Sequence, residues 1–169
     1  MATNSNGTQS AREKEKIPLT REGYEEKKQR LHYLITEQRP EVADYIHDAK
    51  EAGDISESSA YEDAKNRQAL LEGEIQELQA LLENAVILET PEQSDGKRVV
   101  RLGSTVEVEN NRGETKSFLL VSTVEANPAA RKLSDQSPVG KALLGHKVGE
   151  EVKVQTPGGS RPVTIVKVS

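Results

Sequence analysis

Cysteine and tryptophan are absent from this 169-residue chain, and phenylalanine occurs once. Without cysteine there is no disulfide framework and no thiolate metal site. Four Tyr and one Phe provide few rings on which single-stranded nucleic acid could stack. The formal net charge of -5 disfavours direct duplex binding, because duplex-binding proteins usually carry a basic face. Any role with nucleic acid is therefore predicted to act through a protein partner or through one local patch.

Long apolar stretches are also missing. No run approaches the roughly 20 residues that span a bilayer, and the polar start, MATNSNGTQSAREKEK, lacks the apolar core of a signal peptide. We therefore expect a soluble, cytoplasmic protein with no membrane partner. Hydrophobic residues make up 34% and charged residues 30%, which suits an elongated helical part joined to a small globular part. Residues 1–16 are expected to be a disordered extension, because they have nothing to bury.

Residues 17–89 carry the pattern of a helical hairpin. Thr20 is placed to cap the first helix. Two seams of residues spaced by three and four then follow, separated at Gly53, and this is the spacing of coiled coils. Two such seams joined by a short turn predict an antiparallel coiled-coil hairpin. The predicted seams are Tyr24, Leu31, Ile35, Val42, Tyr45 and Ala49, and then Tyr61, Ala64, Gln68, Leu71, Ile75, Leu78, Leu82 and Ala85.

Pro40 falls inside the first helix of this hairpin. A proline there lacks the backbone donor and disfavours helix at the preceding residue, at a cost of about 3 kcal/mol. We predict a kink or a short break at Pro40, with the helix restarting at Glu41.

A linker is predicted at residues 90–97, and beyond it the periodicity becomes that of strands. One β-hairpin is predicted from residues 105–109 and 117–121 around the turn NNRG, and a second from Val148 to Val168 around TPGG. Residues 98–169 are therefore predicted to form a small α+β domain built on an antiparallel sheet.

A short helix is predicted between the two β-hairpins. Ser137 and Pro138 have the residue types that begin a helix, and Gly145 has the type that ends one.

The stretch AKEAGDISESSAYEDAK, residues 49–65, joins the two long helices and contains Asp54 and Glu57. One interpretation is structural: Gly53 ends the first helix, Asp54 caps the second, and Glu57 completes a capping-box pair. The other is functional: two carboxylates at the far end of a long hairpin jointly hold a hard cation such as Mg²⁺. Two exposed carboxylates alone bind Mg²⁺ weakly, so a partner macromolecule would supply the remaining ligands. The spacing alone fits both interpretations.

Basic residues flank this stretch. Lys50, Lys65 and Arg67 are candidates for phosphate contacts, although a solvated helix face with an Asp63–Arg67 ion pair is the commoner arrangement. The three histidines have no ligand spacing between them and are interpreted as structural.

Three stretches, in this order, resemble the bacterial Gre family of transcript cleavage factors. They are IPLTREGYEEKKQRL from Ile17, RPEVADYIHDAKEAGDISESSAYEDAK from Arg39, and SPVGKALLGHKVGEEVKVQTPGG from Ser137. The resemblance covers the chain from Ile17 to Ser169. It implies a coiled-coil N-terminal domain and a C-terminal FKBP-like antiparallel-sheet domain that docks on bacterial RNA polymerase, with the factor acting as a monomer.

In this family the coiled coil enters the secondary channel of the polymerase and stimulates the polymerase's own cleavage of backtracked RNA. The resemblance implies that Asp54 and Glu57 are the acids that share Mg²⁺ with the polymerase active centre, in a two-metal hydrolysis. It places Lys50 and Lys65 near the 3′ end of the backtracked RNA. The protein is then a cofactor of the polymerase and no enzyme itself, and it binds no metal in isolation. The docking residues implied are Ser137, Pro138, Gly140 and Gly145.

Ser58 and Ala60 depart from the family pattern, which commonly has Asn and Glu there. A supporting amide and a supporting carboxylate are therefore missing beside the acids. The alternative function is a secondary-channel-binding regulator or inhibitor without cleavage stimulation. A prolyl isomerase is disfavoured, because it needs an aromatic-lined pocket and Phe118 is the only aromatic residue after Tyr61.

Overall fold

The computed structural model describes residues 16–51, 59–88 and 99–169. The predicted linker and all but the last residue of the predicted extension lie outside these ranges. So do Asp54 and Glu57.

The N-terminal part is an antiparallel helical hairpin, as predicted. Its helices are α1, Arg21–Tyr33, and α2, Arg39–Glu51, which pack against α3, Ser59–Glu83. Thr20 is the N-cap of α1, because its Oγ1 accepts a hydrogen bond from the Gly23 backbone N–H at 3.0 Å. The prediction of a Thr20 cap is confirmed.

The seam of α3 is the predicted one. Ala64, Leu71 and Ile75 are buried, and the remaining predicted positions within α3 are half-buried. On the facing helices the prediction is only partly right. Ala49 is buried as expected, but Leu34 and Ile46 are also buried, and neither belongs to the predicted seam.

Pro40 does not break the helix, and α2 begins at Arg39, so the predicted break with a restart at Glu41 is wrong. The predicted kink stays a prediction. The helical backbone continues from α1 to α2 through a π-helical segment, Leu34–Gln38. The Arg39 N–H bonds the Leu34 carbonyl, and Arg39 keeps right-handed helical angles of φ -63 and ψ -45. A π turn holds one residue more than an α turn, so it accommodates the proline and shifts the register of α2 relative to that of α1.

Two short strands tie the base of the hairpin together. Strand β1, Ile17–Leu19, pairs in parallel with β2, Ala85–Ile87. The ladder is extended by the bonds from Ile17 N to Asn84 O, at 2.9 Å, and from Leu88 N to Leu19 O, at 2.7 Å. Ala85 therefore lies in a strand, and the prediction that it continues the helical seam is wrong.

The C-terminal part is a five-stranded sheet with the order β5-β4-β3-β7-β6. Both predicted β-hairpins are present, and all pairings are antiparallel except β4 with β5. Val148 lies before β6 and is 46% exposed, so its assignment to a strand is wrong. The strands are β3, Thr105–Asn110; β4, Thr115–Val121; β5, Lys132–Ser134; β6, Glu151–Thr156; and β7, Gly159–Val168.

Helix α4, Pro138–Leu143, packs against β6. It brings Leu143 into a core with Val106, Leu120 and Ile165 of the sheet. The short helix between the β-hairpins is confirmed. The α+β fold class, with an antiparallel helical hairpin followed by a mostly antiparallel sheet domain, is confirmed as well.

Candidate functional site

The connection that carries Asp54 and Glu57 joins the two helix ends farthest from the β1–β2 ladder. Helix α2 ends at Glu51 and α3 begins at Ser59. The 25 residues of α3 extend roughly 37 Å at about 1.5 Å per residue. The two acids, called the tip acids below, belong to residues 52–58 and lie outside the described residues. Glu51 and Ser59, the described residues that border this connection, therefore lie a full helix length away from the base of the hairpin.

Two small residues bring α2 and α3 together near this end. Ala49 is 6% exposed and Ala64 is fully buried. The next residue on each helix, Lys50 and Lys65, is exposed. The Lys65 ammonium donates to Gln68 Oε1 at 2.6 Å. Both lysines are exposed, on the helix ends that border the connection.

Arg67 has a structural role instead. Its Nε lies 3.0 Å from Asp63 Oδ2, one turn earlier on α3, and its guanidinium carbon lies 5.0 Å from the centre of the Tyr45 ring on α2. The predicted Asp63–Arg67 ion pair is confirmed. Because the guanidinium bridges the two helices, Arg67 is a weaker candidate for phosphate binding than the two lysines.

The described residues contain no group of three or more His, Asp and Glu side chains that could hold a metal ion. His47 pairs with Glu51 at 3.3 Å, and His146 Nδ1 lies 2.6 Å from Glu150 Oε2. The hydrogen bond with His146 lowers the pKa of Glu150 below its ordinary value.

Within the described part of the chain, no helix has the length and apolarity needed to cross a membrane.

The four docking candidates lie within α4 or directly beside it, and two of them have clear structural roles. Ser137 Oγ accepts from the Gly140 N–H at 3.0 Å and donates to the Ser134 carbonyl at 2.6 Å. Gly140 is buried, and a Cβ there would overlap the Ser134 carbonyl oxygen. These two residues therefore shape the turn into α4.

Pro138 and Gly145 are the exposed members of the set. Pro138 opens α4, a position where its missing N–H costs nothing. Gly145 has a φ of +80 and donates its N–H to the Val100 carbonyl at 2.9 Å. Gly145 thus sets the direction in which the chain leaves α4. Pro138 makes the smallest structural contribution of the four docking candidates.

A contact between the hairpin and the sheet domain was not predicted from the sequence. Glu125, in a short 3₁₀ turn after β4, is only 7% exposed. It accepts hydrogen bonds from both the backbone N–H and the hydroxyl of Thr20. The one available signal was Gly23, since a glycine in the first turn of a helix is unfavourable and needs another reason.

Comparison with known proteins covers nearly the whole chain. The family described as "Transcription elongation factor, N-terminal" matches residues 17–87, and "Transcription elongation factor, GreA/GreB, C-term" matches residues 94–169. The chain is 45% identical over 155 residues to transcription elongation factor GreA of Thermomicrobium roseum, covering 92% of this chain and 98% of that protein. It is 46% identical over 154 residues to GreA of Bacillus subtilis, covering 90% and 96%.

Among solved structures, the chain is 38% identical to GreA factor homolog 1 (Gfh1) of Thermus thermophilus. The alignment covers 91% of this chain and 99% of that one, with a TM-score of 0.41. The two family matches, together with the identity to GreA proteins over almost their full length, show that this chain belongs to the GreA/GreB family of transcription elongation factors.

Proposed function

We propose that this elongation factor binds RNA polymerase, inserts its helical hairpin into the secondary channel and stimulates the polymerase's own cleavage of backtracked RNA. Arrested complexes would thereby resume synthesis. The observation that supports this most directly is the position of the connection between Glu51 and Ser59. It lies at the end of the hairpin remote from the sheet domain, so a docked sheet domain would leave the tip acids free to reach inside the partner.

The chemistry proposed for the tip acids is that of carboxylates shared with a partner's active centre. Asp54 and Glu57 would supply oxygen ligands, which Mg²⁺ prefers, and the polymerase would supply the rest. When bound, Mg²⁺ would contribute Lewis acidity and a positioned water to the hydrolysis. The isolated factor would then need no metal of its own and would carry out no hydrolysis alone.

The exposed lysines next to the connection complete this proposal. Lys50 and Lys65 would lie near the 3′ end of the backtracked RNA and balance the negative charge that the tip acids bring. Docking on the polymerase would use the exposed face at α4, with Pro138 and Gly145 in contact and Ser137 and Gly140 shaping the turn. The factor would act as a monomer in the cytoplasm, where the polymerase works.

A second candidate function keeps the docking and omits the chemistry. Ala60 is exposed in the first turn of α3 and carries no carboxylate, where the family commonly has Glu. A factor with weakened support for its tip acids would occupy the channel and slow nucleotide addition without stimulating cleavage. The same experiment separates the two functions.

The test measures RNA shortening in backtracked elongation complexes over a range of Mg²⁺ concentrations. We expect the parent protein to shorten the transcript. Asp54→Ala and Glu57→Ala should reduce the stimulated rate by about 100-fold or more, the range over which positioned catalytic groups contribute. Glu62→Ala is the matched control, because it removes another acid from the first turn of α3 and should stay close to the parent.

Thermal melting of the same variants tests the structural interpretation of the tip acids. If they act only as helix caps, Asp54→Ala should lower the free energy of unfolding by about 1 kcal/mol. The cleavage rate should then fall only in proportion to the fraction of folded protein. Absence of shortening with the parent, together with slowed nucleotide addition, would overturn the cleavage proposal in favour of the channel-binding regulator.

A further inference from the structure

The hairpin and the sheet domain meet through a carboxylate whose two oxygens both accept hydrogen bonds. Glu125 Oε2 accepts from the Thr20 N–H at 2.9 Å, and Oε1 accepts from the Thr20 hydroxyl at 2.5 Å. Thr20 is also the N-cap of α1, because its hydroxyl oxygen accepts from the Gly23 N–H. A negative charge at the start of a helix is favoured by the exposed N–H groups there. The sheet domain thus caps the hairpin's first helix.

Gly23 allows the carboxylate to come this close. A Cβ added at Gly23 would overlap Glu125 Oε1 and crowd the rest of that side chain. Gly23 is buried in the first turn of α1, where alanine would be the better helix former. The glycine therefore serves the contact between the two parts of the chain. Thr20, Gly23 and Glu125 are called the base contact below.

A second link lies beside the base contact. Lys132, in β5, places its ammonium 3.3 Å from Glu26 Oε1 on α1, with the lysine side chain 14% exposed and the glutamate 57% exposed. This pair is partly open to water and is therefore the weaker link. Glu125 is nearly buried and accepts two hydrogen bonds, so it is the stronger of the two links.

We propose that Glu125 is a positioning residue, which fixes the direction of the hairpin relative to the sheet domain and so determines where the tip acids lie when that domain is docked. Residues 21–51 form one helical run of roughly 45 Å at about 1.5 Å per residue. A rotation of about 10° at the base would move the far end by roughly 8 Å, whereas a misplacement of about 1 Å already costs up to about 100-fold in rate.

The consequence for cleavage rests on the proposed function, whereas the orientation itself is measurable without polymerase. Because the chain has no cysteine, two cysteines can be introduced into the same protein and each can carry a spin label. The positions are Asn66→Cys on α3 and Lys153→Cys on β6, both exposed. Pulsed electron spin resonance then reports the distance distribution between the two parts of the intact protein.

The variants probe the base contact from both sides. We expect one narrow distance distribution for the parent and for Glu151→Ala, which removes an exposed glutamate of the same domain. Glu125→Ala and Gly23→Ala should each broaden the distribution or shift it. Glu125→Gln, whose amide oxygen still accepts one bond from Thr20, should recover part of the parent distribution. The effect of Gly23→Ala should shrink in the Glu125→Ala background, since the clashing side chain is then gone.

Polymerase binding and stimulated cleavage give the second readout. Glu125→Ala should lower the cleavage rate at saturating factor by about tenfold or more, with affinity for polymerase within about twofold of the parent. A merely destabilising change would lower both together, or would show in the melting temperature.

An unchanged distance distribution in both Glu125→Ala and Gly23→Ala would overturn the positioning role, whatever the cleavage assay shows. A parent that does not stimulate cleavage contradicts the proposed function alone, because the distance measurement still decides the orientation. If Glu125→Ala fails to fold, Gly23→Ala and Glu125→Gln supply the same comparison.

Discussion

At the scale of single residues, Gly140 shows how a motif that looks functional has a structural cause. Its N–H donates to the Ser137 hydroxyl oxygen, and a Cβ at this position would overlap the Ser134 carbonyl oxygen. The obstacle is backbone, which cannot rotate away as a side chain can. The glycine in the SPVG stretch is therefore required by close packing between β5 and α4, irrespective of any partner.

Gly140→Ala should lower the free energy of unfolding by about 1–3 kcal/mol, the usual cost of overpacking. Gly73→Ala is the matched control, because nothing lies within 4 Å of a Cβ added there in α3. That change should stabilise the protein by about 0.5–1 kcal/mol through helix propensity. Urea unfolding measures both variants. An unchanged free energy of unfolding in Gly140→Ala would show that the Ser134 carbonyl moves aside at little cost.

Pro138 is the residue with which docking is best tested. It is exposed at the start of α4, so Pro138→Ala should leave the fold intact and weaken polymerase binding by about fivefold or more, equal to about 1 kcal/mol. Pro157→Ala, in the exposed turn between β6 and β7, controls for loss of a proline elsewhere in the domain. Equal affinities of Pro138→Ala and the parent would remove Pro138 from the docking face.

Local residue roles could be predicted from the sequence, and distant ones could not. The caps at Thr20 and Ser137 depend on neighbours three residues away, so the residue types alone reveal them. The Thr20–Glu125 bonds join residues 105 positions apart, and no pattern in either segment indicates the partner. For the tip acids the sequence supplies candidates and a choice between capping and chemistry, and that choice stays a prediction.

At the scale of secondary-structure elements, the π-helical segment Leu34–Gln38 changes which residues of α1 and α2 face α3. The seam of α3 matches the predicted spacing because nothing interrupts its α-helical geometry. The seam of the facing helices matches only in part: Leu31, Ile35 and Val42 pack against the core as predicted. Leu34 and Ile46 are buried in addition, and the π turn ahead of Pro40 adds a residue between α1 and α2. Proline indicated a distortion here, and the distortion takes the form of a π turn just ahead of it.

Leu34→Ala tests this packing. Leu34 is fully buried against Leu71 and Ile75 of α3, so the truncation should cost about 2–5 kcal/mol and reduce the thermal stability of the hairpin. Leu70→Ala makes the same chemical change at a side chain that is 75% exposed, and should shift stability by no more than about 0.5 kcal/mol. Far-UV circular dichroism during urea unfolding measures both, and equal effects would contradict the burial of Leu34 in the seam.

The short strands were the elements least accessible to prediction. β1, β2 and β5 have three residues each, too few for an alternating pattern to stand out. β1 and β2 are also far apart in the sequence, as the pairing of Ile17 with Ala85 shows. The longer strands β3, β4, β6 and β7 lie around tight turns, and these were recognisable from turn residues.

At the scale of the whole molecule, the two parts of the chain divide the work of the proposed function. The sheet domain has a compact core and presents the exposed face at α4, whereas the hairpin has a narrow seam and ends at residues 52–58. The overall division could be predicted from the change in periodicity along the chain. The direction of one part relative to the other could not, because it depends on a few side chains at the base contact.

The 105-residue separation of Thr20 and Glu125 also has a consequence for synthesis on the ribosome. At about 5–20 residues per second, Glu125 is added roughly 5–20 s after Thr20. Helices form on the microsecond timescale, so the hairpin has its complete sequence and ample time to pair while its capping carboxylate does not yet exist. We therefore expect the newborn hairpin to spend several seconds without a fixed direction, and to acquire it only as the last third of the chain emerges.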